Sequence, residues 1–388
     1  MTDALVSLLV GTTKGTFVIE GDATRSRWTV RGPFCDGWPI NHAVGDPVTG
    51  TMWAAGGGDW SGAGVWRSTD GGHSWTLSRL TRGQMDQWAA EDPEFAAMIG
   101  WSDDPLPFGE EFSQIWSLAR VGDRLYAGTK PAALIVSEDD GESWSPVKGL
   151  TAHPSADEWS PGAAGLVLHT ILADPRDPDR IWIGISAAGV FFTEDGGVTW
   201  ERRNDLANSA DGEGADHPAA ASDGHTGFCV HHVERAPGDI DVLYQQNHHG
   251  VWRSDDGGAG WHNITTGLPS TFGFPLAVHP RDPRTIWTLP LNGDMEGRYP
   301  PQAAAAVWRS RDGGATWEAQ RVGLPQESCY FTVLRQAMSR DRRHPAGVYF
   351  GTNTGSVFAS RDEGETWDEI ARHLPTVLAV EVLERAEG

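Results

Sequence analysis

The chain has 388 residues, a formal net charge of −23, 48 glycines and 19 tryptophans. That charge excludes nucleic acid as a partner, because phosphates would be repelled, and it disfavours an anionic membrane surface. Ample apolar residues and the absence of a long polar tract exclude a disordered chain.

Length alone suggests two or three domains, but a periodic chain grows by adding units around one continuous core. The first ten residues carry Asp3 where a signal peptide requires basic residues. Their apolar run stops at Gly11, too short to span a membrane. A cytoplasmic protein is expected. Next, Leu5–Val10, Gly15–Ile19 and Arg27–Val30 read as three strands, with Trp28 as an anchor.

From there one octapeptide returns six times, as S/T-x-D-x-G-x-x-W: Ser68–Trp75, Ser137–Trp144, Thr193–Trp200, Ser254–Trp261, Ser310–Trp317 and Ser360–Trp367. Its Asp accepts backbone N–H groups across a turn. Its Gly takes a positive φ, and its Trp anchors the outgoing strand. Because these Asp residues stand in every unit, they are read as geometric and not catalytic. Strands such as Gly64–Arg67 precede each octapeptide, a second strand such as Arg180–Gly184 precedes that, and a third such as Leu166–Ala173 lies further upstream. With the strand after the Trp, each unit holds four strands, the content of a propeller blade. The three N-terminal strands lack an innermost partner, and Thr376–Val382 supplies one from the other end. The expected fold is all-β: one seven-bladed β-propeller over residues 1–388, its ring closed by pairing of the two terminal segments.

On the octapeptides the sequence resembles the BNR/Asp-box superfamily, over essentially the whole chain. That superfamily includes sialidases, xyloglucan-active glycosidases, sortilin-type receptors and a photosystem assembly factor. The resemblance implies the fold and says little about activity. Its sialidases are six-bladed and use an Arg-Ile-Pro motif and an arginine triad. No Arg-Ile-Pro occurs here, and Arg67, Arg253 and Arg309 recur at scaffold positions, so sialidase chemistry is not expected. Its xyloglucanases use two tandem propellers, and one is expected here.

Function is sought in what the repeats leave over. Insertions at about 78–113, 148–165, 203–227 and 291–305 fall on one face of the ring, where long loops carry function. His169 and His231 occupy one register position of the innermost strand, and Asn41 falls there in an earlier unit. His248 and His249 lie on the adjoining turn, and His217 and His225 in the adjoining insertion. The leading expectation is a hydrolase- or lyase-type enzyme holding a divalent transition metal (zinc, iron, manganese or copper) on His169, His231 and His248 or His249. No nucleotide cofactor is expected. Asp59, Glu110, Glu111, Asp216 and Asp223 lie nearby. Asp59, Glu110, Glu111 and Asp223 are the catalytic carboxylates of an alternative, metal-free glycosidase. Lys14, Asn41, Lys130, Arg335 and Asn353 are candidate ligand-binding residues for a carboxylate or phosphate. Trp60, with Trp88, Trp101 and Trp159, is a candidate platform for a sugar or other small molecule. A third reading is a non-catalytic scaffold for a protein partner. Cys35, Cys229 and Cys329 read as buried thiols of a reducing compartment.

Overall fold

A computed structural model describes residues 5–207, 224–238 and 241–385. Seven four-stranded antiparallel sheets form the blades of a ring. Blade 1 combines Leu5–Thr12, Gly15–Gly21 and Trp28–Phe34 with Val377–Arg385, which takes the innermost place. The pairing runs from Leu5↔Arg385 to Thr12↔Val377. The closing strand and the hidden first blade lie where the sequence places them, the closing strand running three residues further, to Arg385. The remaining inner strands are Ile40–Gly45, Gln114–Val121, Val167–Asp174, Val230–Arg235, Gly273–Val278 and Met338–Arg340, for blades 2 to 7 in turn.

The octapeptide turns are closed hydrogen-bond circuits. In blade 3, Ser137 Oγ donates to Asp139 Oδ1 at 2.8 Å and accepts the Gly141 N–H at 2.8 Å. The Ser143 N–H and hydroxyl donate to the same carboxylate at 2.8 and 2.6 Å. Gly141 sits at φ 93°, where a Cβ would be strained. Hydroxyl and amide donors from the residue four places on hold Asp139, Asp195 and Asp312 down to about 2. These carboxylates are committed to turn geometry.

Blades are joined through the second strand. Its aromatic alternates Trp53, Tyr126, Trp182, Tyr244, Trp287 and Tyr349, all buried. The three indoles donate to backbone carbonyls in the turn of the following blade: Asp140, Gly257 and Glu363. Blade 1 has no such octapeptide, and Arg25 from its turn makes a buried ion pair with Asp341 of blade 7 at 2.8 Å. Tyr349 Oη and the Gly347 N–H also donate to Asp341, each at 2.7 Å.

One irregularity positions the site. In six inner strands the register slips by one residue near the strand's start, leaving Asn41, Trp116, His169, His231, Phe274 with Pro275, and Leu378 outside the ladder. Such bulges re-aim a side chain and leave backbone groups unpaired. Those groups need partners, and the neighbouring blade provides them. Asn41 donates to the Ile115 carbonyl at 2.8 Å, and Ser117 to the Leu168 carbonyl at 2.9 Å. His169 donates to the Val230 carbonyl at 2.9 Å, and His231 to the Gly273 carbonyl at 2.6 Å. Gln336, from blade 7, donates across the channel to the Trp116 and His169 carbonyls.

Candidate functional site

At the end of the channel where the inner strands begin lies a cavity of about 860 Å³. A second chamber of about 510 Å³ continues the channel beyond Gln336, which lines both. Blades 5 to 7 supply the polar wall of the mouth.

Cys229 and His231 stand at the start of the blade 5 inner strand, and His248 on the turn between its second and third strands. One atom from each (Sγ and two imidazole nitrogens) lies within 4.8 Å of the others. His248 Nε2 is 3.2 Å from Cys229 Sγ, and its Nδ1 faces Asp294 Oδ2 at 3.7 Å. His231 Nδ1 is 2.6 Å from the Gly273 carbonyl, which can only accept, so Nδ1 carries the proton and Nε2 keeps its lone pair. Burial pushes the Cys229 thiol up, and the Arg335 guanidinium opposes that shift. Burial also holds His231 well below the usual histidine range. The trio offers a neutral imidazole, a thiol and a second imidazole backed by a carboxylate. That set can ligate a soft or borderline divalent metal, and it can equally activate the sulfur as a thiol–imidazole pair.

The structure divides the histidines that the sequence groups together. His169 is 1% exposed, with Nε2 donating to Val230 and Nδ1 accepting from the Thr170 hydroxyl at 2.9 Å. Both nitrogens are spent, so His169 is corrected from ligand to structural residue. His249 lies outside the trio, its ring 6.5 Å from that of His248. His225 faces Asp205 at 2.8 Å. His217, Asp216 and Asp223 lie outside the described residues.

The carboxylates Asp59, Glu110 and Glu111 are exposed, and none lines the mouth cavity. Among the described residues its one carboxylate is Asp294. Lys14 is exposed on a turn, and Lys130 lies against Gly165; neither lines the mouth. Asn41, Arg335 and Asn353 do. Trp60 stacks edge to face on Trp88 at the rim of the 78–113 insertion, whose helices are α1 (Gln84–Glu91) and α2 (Pro93–Ile99). Trp101 donates to Asp86, and Trp159 packs on Phe191. Trp60 and Trp88 remain exposed, and the mouth takes its aromatic walls from Trp116, Phe272 and Phe274.

Sequence reasoning missed Cys229, Asp294 and Arg298. Cys229 precedes the strand by one residue, and it is the bulge at His231 that brings the two side chains together. Asp294 and Arg298 sit inside the 291–305 insertion, where nothing in the repeat fixes an orientation.

No protein-family model matches the chain. Over 234 residues it is 26% identical to an oligoxyloglucan-reducing end-specific xyloglucanase of Emericella nidulans, a match covering 53% of this chain and 27% of that protein. A xyloglucanase of Paenibacillus sp. is 27% identical over 219 residues, covering 50% of this chain and 19% of the relative. The matches thus span about a quarter or less of these relatives' lengths. Among solved structures, the GH74 xyloglucanase from Xanthomonas campestris superposes with a TM-score of 0.61 at 17% identity, covering 96% of this chain and 53% of that one. The chain is a seven-bladed propeller similar in sequence to part of the xyloglucanases.

Proposed function

We propose that the axial mouth is the reaction centre of a hydrolase-type enzyme in which Cys229, His231 and His248 hold one divalent transition metal. The observation that carries this is the trio itself, with ligand atoms from three side chains within 4.8 Å. Zinc–nitrogen and zinc–sulfur bonds of about 2.0 and 2.3 Å require ligand atoms roughly 3.5 Å apart, and the Cys229–His248 separation is already 3.2 Å. Sulfur and imidazole donors favour zinc over magnesium or calcium. The Gly273 carbonyl fixes the ligating tautomer of His231, and Asp294 stands behind His248 as a second-sphere carboxylate. The cavity leaves the remaining side open to a small molecule, as a catalytic and not a structural zinc site requires. A metal bound there would lower the pKa of a coordinated water towards neutrality.

Elemental analysis of protein purified without chelator or metal-affinity resin tests the reading. About one equivalent of transition metal is expected in the parent and in His169→Ala, and none in Cys229→Ser or His231→Ala. A metal-free parent protein that also takes up no zinc on dialysis would overturn it.

The sequence similarity to xyloglucanases favours a second reading, a glycoside hydrolase acting on a β-glucan. That chemistry uses two carboxyl groups about 5–9.5 Å apart across the scissile bond. The described mouth has Asp294 alone, which places this reading second. Release of reducing ends from xyloglucan oligosaccharides, retained in Cys229→Ser, would reverse the order.

A further inference from the structure

The mouth cavity is lined by two arginines, Arg298 and Arg335. The buried side chains of Arg25, Arg235 and Arg309 each face a carboxylate within 4 Å, whereas Arg298 and Arg335 are half-buried. Arg298 and Arg335 form no salt bridge and no side-chain hydrogen bond among the described residues. Arg335 Nε is buried without a partner. Both guanidiniums lie over aromatic rings, Arg335 at 5.0 Å from the Phe274 centroid and Arg298 at 5.9 Å from those of Phe272 and Phe274.

An enclosed cation without a counter-charge is costly, and two together are more so, since they repel. A chain with net charge −23 had many carboxylates to spend on them. A third donor faces the same cavity: Asn353 Oδ1 accepts the Thr332 N–H at 2.7 Å, which leaves the amide NH2 to donate. Trp116, Leu334 and Leu378 add apolar surface to the same cavity. Cations and an amide donor beside aromatic and aliphatic surface in one cavity suit an amphipathic anion.

We propose that the mouth binds a small organic carboxylate, its carboxylate held by Arg335, Arg298 and Asn353 and its aryl or aliphatic body against Trp116 and Phe274. Binding would set the bond beside the carboxylate against Cys229, His231 and His248. The location of the reacting bond rests on the reaction centre proposed above; the anion site stands on its own geometry.

The probes are benzoate, phenyl phosphate and neutral benzamide, titrated by calorimetry into the full chain with and without added zinc. Benzoate is expected to bind the parent and to weaken by about tenfold or more in Arg335→Gln, the loss of a charge-assisted bidentate contact. Arg335→Lys, which keeps the charge and the fold-compatible length, should recover part of that loss. Benzamide should not bind. Equal benzoate affinity in parent and Arg335→Gln, or no benzoate binding to the parent, would overturn the proposal; phenyl phosphate binding alone would replace carboxylate by phosphate. If His231→Ala loses metal while benzoate still binds in an Arg335-dependent way, the anion site stands apart from the metal. If the parent binds benzoate but never holds metal, the metal reading fails and this one survives.

Discussion

The Nδ1–H of His231 meets the carbonyl of Gly273, in the next blade, at 2.6 Å. A backbone group freed by one blade's bulge thereby sets the tautomer of a mouth histidine in another. His169 makes the equivalent contact to Val230 but through Nε2, with Nδ1 taken by Thr170. Two histidines at one register position thus end with opposite roles. His231→Ala is expected to abolish metal binding. His169→Ala should keep the metal and lose about 1–3 kcal/mol of stability, the range for disrupting a buried hydrogen-bonded group. Urea denaturation beside elemental analysis separates the two.

The Arg25–Asp341 pair closes the ring at a second place, outside the channel. Asp341 is fully buried and also takes the Tyr349 hydroxyl and the Gly347 N–H. Asp341→Asn leaves Arg25 without its counter-charge. A loss of about 3–5 kcal/mol, typical for breaking a buried pair, is expected in the denaturation midpoint, with benzoate affinity unchanged.

Glu381, on the closing strand, sits in the lower chamber beside His42 at 3.9 Å, with Glu234, His232 and Arg340 also lining it. Burial foremost, and the Glu234 charge with it, push its carboxyl up to about 7, against the opposing Arg340 charge. The fold therefore favours its protonated form over an ordinary glutamate's 4.5. The stability this adds is fully present below about pH 4.5 and is lost as pH rises from there through 7. Glu381→Gln keeps the neutral shape at every pH. Its denaturation midpoint should exceed the parent's at pH 8 and match it near pH 4.5. A constant difference across that range would show that the Glu381 carboxyl titrates alike in the folded and unfolded states.

The octapeptide turns are scaffold, and Ser137→Ala tests this. Ser137 Oγ both accepts the Gly141 N–H and donates to Asp139. Its removal orphans a buried N–H, for about 1–3 kcal/mol. Metal content and anion affinity should stay at parent values.

Most of the ring was legible in the sequence because its determinants are local. Six octapeptides fix six turns, and the unpaired strand at Leu5 demands a partner that only the other end offers. Even the register of Asn41, His169 and His231 could be aligned by counting from the turns. The split between ligand and structural histidine could not, because it depends on which neighbouring carbonyl a bulge leaves open. The carboxylates Glu110 and Glu111 failed as site residues for a related reason. The segment that carries them is anchored through Phe108 and Phe112 in the core of blades 2 and 3, and both glutamates are left exposed. Cys229 reads from the sequence as one more buried thiol, because the bulge at His231 that brings the two together is not visible there.

The innermost strand of blade 1 has a consequence during synthesis. Leu5–Thr12 is made long before its partner Val377–Arg385. Throughout that interval the nascent chain shows a raw hydrogen-bonding edge beside Val6, Leu8 and Val10, side chains fully covered once the ring is shut. An edge of that kind recruits other strands. Termination before Val377 would leave the ring open with that edge exposed, a species prone to aggregate.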